Sequence, residues 1–289
     1  MPSVYKNSDC QRRVREQCID RIDAWDCAHE RWEISTAAGS TSVVAAGPAP
    51  VRAEPTIVLV PGTNMNAAVS LNVAGALAQR RRTVVLDVPG QPGLSADRRP
   101  RRGRTSWYGQ WLTEALEKTV PGPAVVVGHS LGGAIALACP SPQITGRVLL
   151  SPAGLVRLSV TPPVLAATLA WLGRPTTTHT HTLLRRMVAP GNRVPEELID
   201  WMTLVARCCH SSLAPMPLPS TLLAARRAAT TVVVTGRHDV FLPPHRIGPA
   251  VRRRLGIESR LLDGAGHLVL DEQPGAVVDA VDDIVVGAS

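Results

Sequence analysis

The sequence has no uninterrupted apolar run near the roughly 20 residues that a membrane-spanning helix needs. Its most apolar stretch, "PPVLAATLAWLG", is much shorter. The N-terminus is charged and has no apolar segment of the kind found in signal peptides. The six cysteines form no CxxC pair, and the spacing of Cys10, Cys18, Cys27 and His29 is too wide for a structural zinc site. These absences predict a cytoplasmic protein with reduced thiols, no membrane span and no bound metal.

Aromatic residues are also scarce, with one Phe and two Tyr beside six Trp. The formal net charge is +8, but the excess arginines lie in short scattered clusters. Because few aromatics accompany them, this charge does not predict a nucleic-acid-binding groove. With 289 residues and 45% hydrophobic content, the chain favours one large α/β domain.

Eight short apolar runs predict eight strands. The first two, "RWEIST" and "TSVVAAGP", flank residues 37–40 and indicate an antiparallel hairpin. The other six lack polar alternation, which is typical of strands buried on both faces: "PTIVLVPG", "RTVVLDVPG", "PAVVVGHS", "RVLLSPAG", "TTVVVTGRHD" and "ESRLLDGAGH". Helix-like segments at 67–80 and 106–119 separate the first of these. The pattern predicts a mostly parallel, doubly wound sheet with helices on both faces, whose ligands bind beyond the carboxyl ends of the strands.

The pattern divides the chain into four parts. Residues 1–29 form a helical segment packed on the core, with an amphipathic helix over about 9–29. Residues 30–152 and 226–289 form the two halves of the core. Between them, residues 153–225 carry many prolines, the tract "TTTHTHT" and two helix-like pieces. This segment is too long for an ordinary connection and too apolar for a linker, so it is predicted to be a helical cap over the strand ends.

The segment "GHSLG", residues 128–132, matches the pattern G-x-S-x-G. A nucleophile on a strained turn needs small residues two positions away on each side. The strand-like "AVVV" before it and the helix-compatible "GGAIALA" after it supply the expected context. Ser130 is therefore the predicted nucleophile.

A serine hydroxyl needs a base to take its proton. His267 lies just after the last predicted strand, in "LLDGAGHLVLDEQP", where a glycine-flanked loop can carry the imidazole over the strand ends. His129, next to Ser130, points away from the serine side chain, so it has a structural or pocket-lining role. Five further histidines are predicted to be solvated or packing residues: His29, His179, His181, His210 and His245.

Asp239 follows the strand-like "TTVVVTGRHD" and completes the order Ser, acid, His that accompanies this elbow. Other carboxylates are assigned structural roles. Asp87 is expected to brace its loop and Asp263 to cap a local turn. Asp271 and Glu272 are expected to begin the final helix, where carboxylates favour the positive end of the dipole.

A tetrahedral oxyanion needs two fixed donors. The backbone N–H of Leu131 is one, at the start of the helix after the nucleophile. The other is expected in the loop "VPGTNMN", with Thr63 first and Asn64 and Met65 as alternatives. The alternative is that "VPGTNMN" is only a turn formed around its glycine and donates nothing to an oxyanion.

The chain resembles the esterase/lipase-like group of the α/β-hydrolase fold family. Five segments carry the resemblance in order: "VLVPGT", "LDVPGQPGLS", "GHSLGG", "GRHDVFLP" and "GAGHLVLDEQP". It covers about residues 30–289 and implies the family's fold. Two departures occur: Pro61 stands where many members have His, and "GQPG" replaces G-x-G, so the turn after Asp87 is expected to differ in shape.

Predicted lining residues of the substrate site are Asn64, Met65, His129, Trp171 and Trp201, although simple packing is the alternative for the two tryptophans. The arginines of "DRRPRRGR" form either a solvated loop or, at Arg101 and Arg102, a docking site for an acidic carrier or an anionic substrate tail.

The leading hypothesis is a serine hydrolase that cleaves a carboxylic ester or thioester with an apolar acyl group. The same residues also suit an acyltransferase or a cyclase acting on a biosynthetic intermediate. A non-catalytic, ligand-binding member of the fold is the third hypothesis. The chemistry implies neither a metal nor an organic cofactor.

Overall fold

The computed structural model describes residues 1–51, 53–210, 215–226 and 230–287. The eight predicted strands are present in one sheet. They are β1 His29–Thr36, β2 Gly39–Ala46, β3 Thr56–Val60, β4 Thr83–Leu86, β5 Ala124–His129, β6 Ile144–Leu150, β7 Thr230–Gly236 and β8 Ser259–Leu262. Their order across the sheet is β1-β2-β4-β3-β5-β6-β7-β8.

The sheet is antiparallel only at one edge. Strands β1 and β2 form the predicted hairpin, closed by a two-residue turn at Ala37 and Ala38, and β2 pairs antiparallel with β4. All other pairings are parallel. Central strands β3, β4 and β5 are buried along their whole length, as their unbroken branched apolar residues predict.

Eleven α-helices accompany the sheet in the described part of the chain. They are α1 Ser8–Asp23, α2 Leu71–Ala78, α3 Arg104–Thr119, α4 Leu131–Ala138, α5 Pro162–Gly173, α6 Thr177–Arg185, α7 Glu196–Cys208, α8 Ser220–Ala224, α9 Pro244–Leu255, α10 Val269–Glu272 and α11 Pro274–Gly287. One apolar cluster contains α1, α2, α5, α6, α7, α10 and α11, and a second contains α3, α4, α8 and α9. Helices thus cover both faces of the sheet, as predicted.

Two local predictions were wrong in their bounds. Helix α1 ends at Asp23, not near residue 29, and the ring of the following Trp25 lies against that of His29 at a centroid distance of 5.3 Å. The segment 67–80 is divided into a 3-10 turn, Ala67–Val69, and helix α2. Within the predicted helical segment, α6 begins inside the tract "TTTHTHT", although threonine has a low helix propensity.

Helix α6 is stabilised by contacts outside its own sequence. Thr176 caps it by accepting a hydrogen bond from the N–H of His179 at 3.2 Å. The buried hydroxyl of Thr203 on α7 donates to that of Thr180 at 2.7 Å. Tertiary contacts therefore compensate for weak propensity here.

Helices α5 to α8 all lie within residues 153–225, between β6 and β7. Helix α7 contacts the core through Trp201, whose indole N–H donates to the carbonyl of Asn64 at 2.7 Å. No helix in the described ranges is long and apolar enough to cross a membrane.

Candidate active site

Ser130 lies on a sharp turn between β5 and α4. Its φ of 49° and ψ of −109° are a strained combination for a residue with a side chain. The small neighbours are required sterically, because a Cβ on Gly132 would lie 1.9 Å from the carbonyl oxygen of Val60 and one on Gly128 would lie 2.6 Å from that of Gly132. The turn predicted from "GHSLG" is therefore present.

The structure brings the three predicted residues together at the carboxyl ends of the strands. Nε2 of His267 lies 3.2 Å from Oγ of Ser130, and its Nδ1 lies 2.9 Å from Oδ2 of Asp239. All three side chains are buried, with Ser130 8%, His267 5% and Asp239 2% exposed. A hydroxyl, an imidazole and a carboxylate thus form one continuous hydrogen-bonded chain.

Backbone hydrogen bonds hold the carboxylate of Asp239 in one orientation. Its Oδ1 accepts hydrogen bonds from the N–H groups of Phe241 and Leu242, each at 2.9 Å, which leaves Oδ2 for His267. Burial by itself raises the pKa of Asp239, but the facing imidazole and these hydrogen bonds outweigh it and lower the pKa below its usual value. The carboxylate is therefore ionised at neutral pH.

Two backbone N–H groups near Ser130 have no partner among the described residues. In the loop after β3, the N–H of Asn64 donates to Oε1 of Gln91 at 3.0 Å, and that of Met65 donates to the carbonyl of Gly62 at 3.1 Å. The N–H of Thr63 makes no such bond, and neither does that of Leu131 at the start of α4. Of the predicted loop donors, only Thr63 is thus uncommitted.

Gln91 was not identified from the sequence as part of the site. It belongs to "GQPG", the segment that departs from the family pattern, and it braces the loop that carries Thr63. Asp87 braces the same region as expected, since Oδ1 accepts from the N–H of Ala67 at 2.7 Å and Oδ2 from that of Leu94 at 2.8 Å.

His129 lies below the loop of His267 and is 3% exposed. Its Nε2 is 2.8 Å from the backbone carbonyl oxygen of His267, so Nε2 carries the proton and donates it. Its Nδ1 is buried without a partner, on the side of Gly62. Burial, followed by the proximity of His267, lowers the pKa of His129 to about 4, which keeps the ring neutral.

Glu272 corrects a prediction from the sequence. Asp271 and Glu272 do not begin the final helix; they end the short helix α10. Glu272 Oε2 accepts from the N–H of Gly266 at 2.8 Å, and Oε1 accepts from the N–H of Ala189 at 2.6 Å. The carboxylate therefore ties the loop of His267 to the segment between β6 and β7. The sequence signal for this role was the end of the segment "GAGHLVLDEQP", which carries the family resemblance and contains Glu272.

Asp263 also differs from expectation. Its side chain pairs with Arg237 at 2.5 Å and is 80% exposed, so it forms a surface ion pair and does not cap a turn.

The remaining predicted residues lie at varied places. Trp171 is buried and donates to the carbonyl of Met202 at 3.1 Å. Trp201 is fully buried against the loop of Asn64. Arg101 and Arg102 are exposed, next to a buried Arg99 that donates to the carbonyl of Gly90.

A cavity of about 690 Å³ lies between α1, α2, α7 and α10, and its lining contains none of Ser130, Asp239 and His267. Its wall includes Trp25, Val69, Leu71, Leu198 and Asp271. Burial, followed by the charge of Glu272, raises the pKa of Asp271 to about 7. No cluster of three or more His, Cys, Asp or Glu residues in the described ranges has metal-binding geometry.

The arrangement is suited to nucleophilic attack on a carbonyl. The imidazole can take the serine proton while the ionised carboxylate stabilises the imidazolium. The two uncommitted N–H groups can stabilise negative charge on a carbonyl oxygen.

The chain is similar to known proteins in sequence and in fold. A family model described as "Alpha/beta hydrolase family" matches residues 57–280. Lipase LipV of Mycobacterium tuberculosis is 30% identical over 217 residues, which are 62% of this chain and 78% of that protein.

Two solved structures from Bacillus subtilis share the fold. The carboxylesterase CesB superposes with a TM-score of 0.78 at 18% identity, over 96% of this chain and 99% of that one. The naproxen esterase (carboxylesterase NP) gives a TM-score of 0.76 at 22% identity, over 96% and 98% of the two chains.

Proposed function

The chain belongs to the alpha/beta hydrolase family, as an enzyme of its esterase and lipase type, and from that membership we propose that it is a serine hydrolase that cleaves a carboxylic ester or thioester through an acyl-enzyme. The observation that carries the proposal is the hydrogen-bonded chain from Ser130 through His267 to Asp239. A hydroxyl nucleophile requires a base that faces it and an acid that orients the base, and His267 and Asp239 are placed for these two roles in a buried site.

In the first half of the reaction, Oγ of Ser130 attacks the substrate carbonyl carbon and its proton passes to Nε2 of His267. Asp239 remains ionised and holds the imidazole by Nδ1. The N–H groups of Leu131 and Thr63 stabilise the oxyanion. The intermediate then collapses, and His267 protonates the leaving alcohol or thiol.

In the second half, water attacks the acyl-enzyme. His267 takes a proton from the water and returns it to Ser130, so the acid product is released and the hydroxyl is restored. No step needs a group outside the chain and the water.

We assign the helical segment 153–225 the role of a cap over the site. Its contacts to the catalytic loops support this role: the N–H of His267 donates to the carbonyl of Met187 at 2.6 Å, and Glu272 binds Ala189. The buried side chains of this segment are largely apolar, which is the basis for proposing an apolar acyl group. His129, Asn64, Met65, Trp171 and Trp201 are proposed to bound or support the substrate site.

Two further proposals concern the surroundings of the enzyme. Exposed Arg101 and Arg102 offer a docking point for an acidic carrier or an anionic substrate tail. The six free cysteines suit a reducing compartment, and the cytoplasm is the proposed location.

Labelling with a fluorophosphonate probe tests the nucleophile. The probe should label the wild type, and Ser130→Ala should abolish labelling. Ser141→Ala is the matched control, because Ser141 is also buried, at 5% exposed, and its hydroxyl accepts a hydrogen bond from the N–H of Gln143, away from the triad residues. Labelling that persists in Ser130→Ala would refute the assignment.

A panel of p-nitrophenyl esters of increasing chain length then measures activity and the acyl site together. Release of free acid supports hydrolysis. Acyl transfer to an added alcohol in preference to water would identify an acyltransferase with the same residues. A burst without turnover would indicate a ligand-binding protein that retains them.

A further inference from the structure

Helix α5 has an apolar face that the protein leaves uncovered. Leu165 and Leu169, one turn apart, are 49% and 60% exposed, and Val160 just before the helix is 57% exposed. The outward positions are spaced three and four residues apart and contain no charged or hydrogen-bonding side chain: Pro162, Leu165, Ala166, Leu169 and Gly173. Large apolar side chains grouped on one exposed face mark an interaction surface.

The opposite face of α5 is already occupied. Val164, Ala167 and Trp171 are buried, and the Trp171 indole is anchored on α7. A helix that is apolar all round is normally buried on all sides. Helix α5 is therefore fixed in place by its buried face, and its other face is an exposed apolar surface.

Within residues 153–195 the charge has one sign, whereas the adjacent helix α7 carries the exposed acids Glu196, Glu197 and Asp200. Residues 153–195 contain five arginines and no Asp or Glu. The arginines are Arg157, Arg174, Arg185, Arg186 and Arg193, all exposed, and none pairs with a carboxylate of the described residues. Residues 153–195 are thus a local concentration of positive charge.

The neighbouring helix α6 presents a different outer face. Its outward side chains are hydroxyls, an imidazole and a guanidinium: Thr177, Thr178, His181, Thr182 and Arg185. Such groups make hydrogen bonds to phosphate oxygens and to ester carbonyls. Helices α5 and α6 pack against each other, so an apolar strip and a polar cationic strip lie side by side.

We propose that the α5–α6 face docks this protein on an anionic phospholipid surface. Leu165 and Leu169 enter the boundary between headgroups and acyl chains, and the arginines bind the phosphates. Apolar burial and attraction to anionic headgroups act together in such binding. A protein partner would also fit the exposed leucines, but the five exposed arginines of residues 153–195 favour an anionic surface. The proposal concerns a surface separate from Ser130 and does not depend on the reaction there.

Vesicle co-sedimentation tests the proposal without measuring activity. The full chain should bind phosphatidylcholine vesicles that contain about one third phosphatidylglycerol, bind pure phosphatidylcholine vesicles much more weakly, and lose binding at high salt. Leu165→Ser/Leu169→Ser and Arg186→Glu/Arg193→Glu should each weaken binding at least about tenfold. All four side chains are exposed, so the folds of both variants should be intact by circular dichroism.

Matched controls separate this face from general stickiness. Arg252→Glu/Arg253→Glu reverses the charge of two exposed arginines on α9, a helix that packs on the other face of the sheet. Val51→Ser removes an exposed apolar side chain outside α5 and α6. Both should bind within about twofold of the wild type. Equal losses in the controls, or no binding to anionic vesicles, would overturn the proposal. A dimer in solution that dissociates with Leu165→Ser/Leu169→Ser would also overturn it, since a second copy would then cover the face.

Discussion

Nε2 of His129 donates a hydrogen bond to the backbone carbonyl of His267 at a distance of 2.8 Å. The residue before the proposed nucleophile therefore holds the backbone of the proposed base, although 138 positions separate the two in the chain. Because the pKa of His129 is lowered to about 4, this donor is neutral and constant through the range in which esterases are assayed.

Replacing His129 by Leu should remove that donor and leave the carbonyl of His267 unsatisfied. The imidazole of His267 would be less well positioned, so kcat should fall on the order of 10- to 100-fold with little change in KM. His129→Gln keeps an N–H within reach and should recover much of kcat. Steady-state kinetics with melting curves for both variants distinguish this positioning role from a loss of fold.

Asp239→Asn should lower kcat on the order of 10³- to 10⁴-fold, because the neutral amide no longer stabilises the imidazolium or fixes its tautomer. KM should change little. Asp263→Asn serves as the control, since that exposed carboxylate pairs with Arg237 on the surface. Equal kcat values for Asp239→Asn and the wild type would exclude Asp239 as the acid.

Thr63→Pro should lower kcat on the order of 10²- to 10³-fold, because proline has no N–H to donate to the oxyanion. Thr63→Ala keeps the backbone donor and should remain close to wild type. Turnover of a short p-nitrophenyl ester by the two variants gives the comparison. A large loss in Thr63→Ala would instead assign the role to the side chain.

Glu272→Gln should lower the free energy of unfolding by about 1–3 kcal/mol, because a carboxylate that accepts from Gly266, Ala189 and Asn192 is replaced by an amide with one acceptor oxygen. Activity should fall as well, since the loop of His267 is no longer tied down. Urea unfolding measures the first effect. Glu117→Gln, at an exposed position on α3, should change neither.

Asp271→Asn should stabilise the fold in a pH-dependent way. The pKa of Asp271 is raised to about 7 in the folded protein, whereas an unfolded chain titrates near 3.9. The ionised form therefore destabilises the fold above about pH 7, and the effect fades as the pH falls towards about 4. The variant should be more stable than the wild type at about pH 8 and equal to it at about pH 4, while exposed Asp279→Asn shows no such difference.

The sequence was sufficient for the elements whose local pattern agrees with their burial. The strands are short, rich in β-branched apolar residues, and followed by a polar or glycine-rich segment. Their mostly parallel arrangement could therefore be predicted, and with it the positions of Ser130, Asp239 and His267 at one edge of the sheet. The steric demand of the elbow is equally local, because Gly132 approaches the backbone of Val60.

What could not be predicted depends on partners distant in the chain. Helix α6 has a threonine-rich sequence and is stabilised by Thr203 of α7. Glu272 has the sequence context of a helix start, yet its partners lie near residues 189 and 266. Gln91 interrupts a familiar glycine pattern, and its role becomes evident only when Asn64 lies beside it.

The bonds from Met187 and Glu272 to the loop of His267 also affect how this enzyme can be re-engineered. Exchanging residues 153–225 for the corresponding segment of a relative is an obvious route to a new substrate range. Here such a graft would also remove the carbonyl that accepts from the N–H of His267 and the N–H of Ala189 that binds Glu272. A chimera that retains residues 187–192 keeps both anchors, so the recombination boundary belongs on either side of that short stretch.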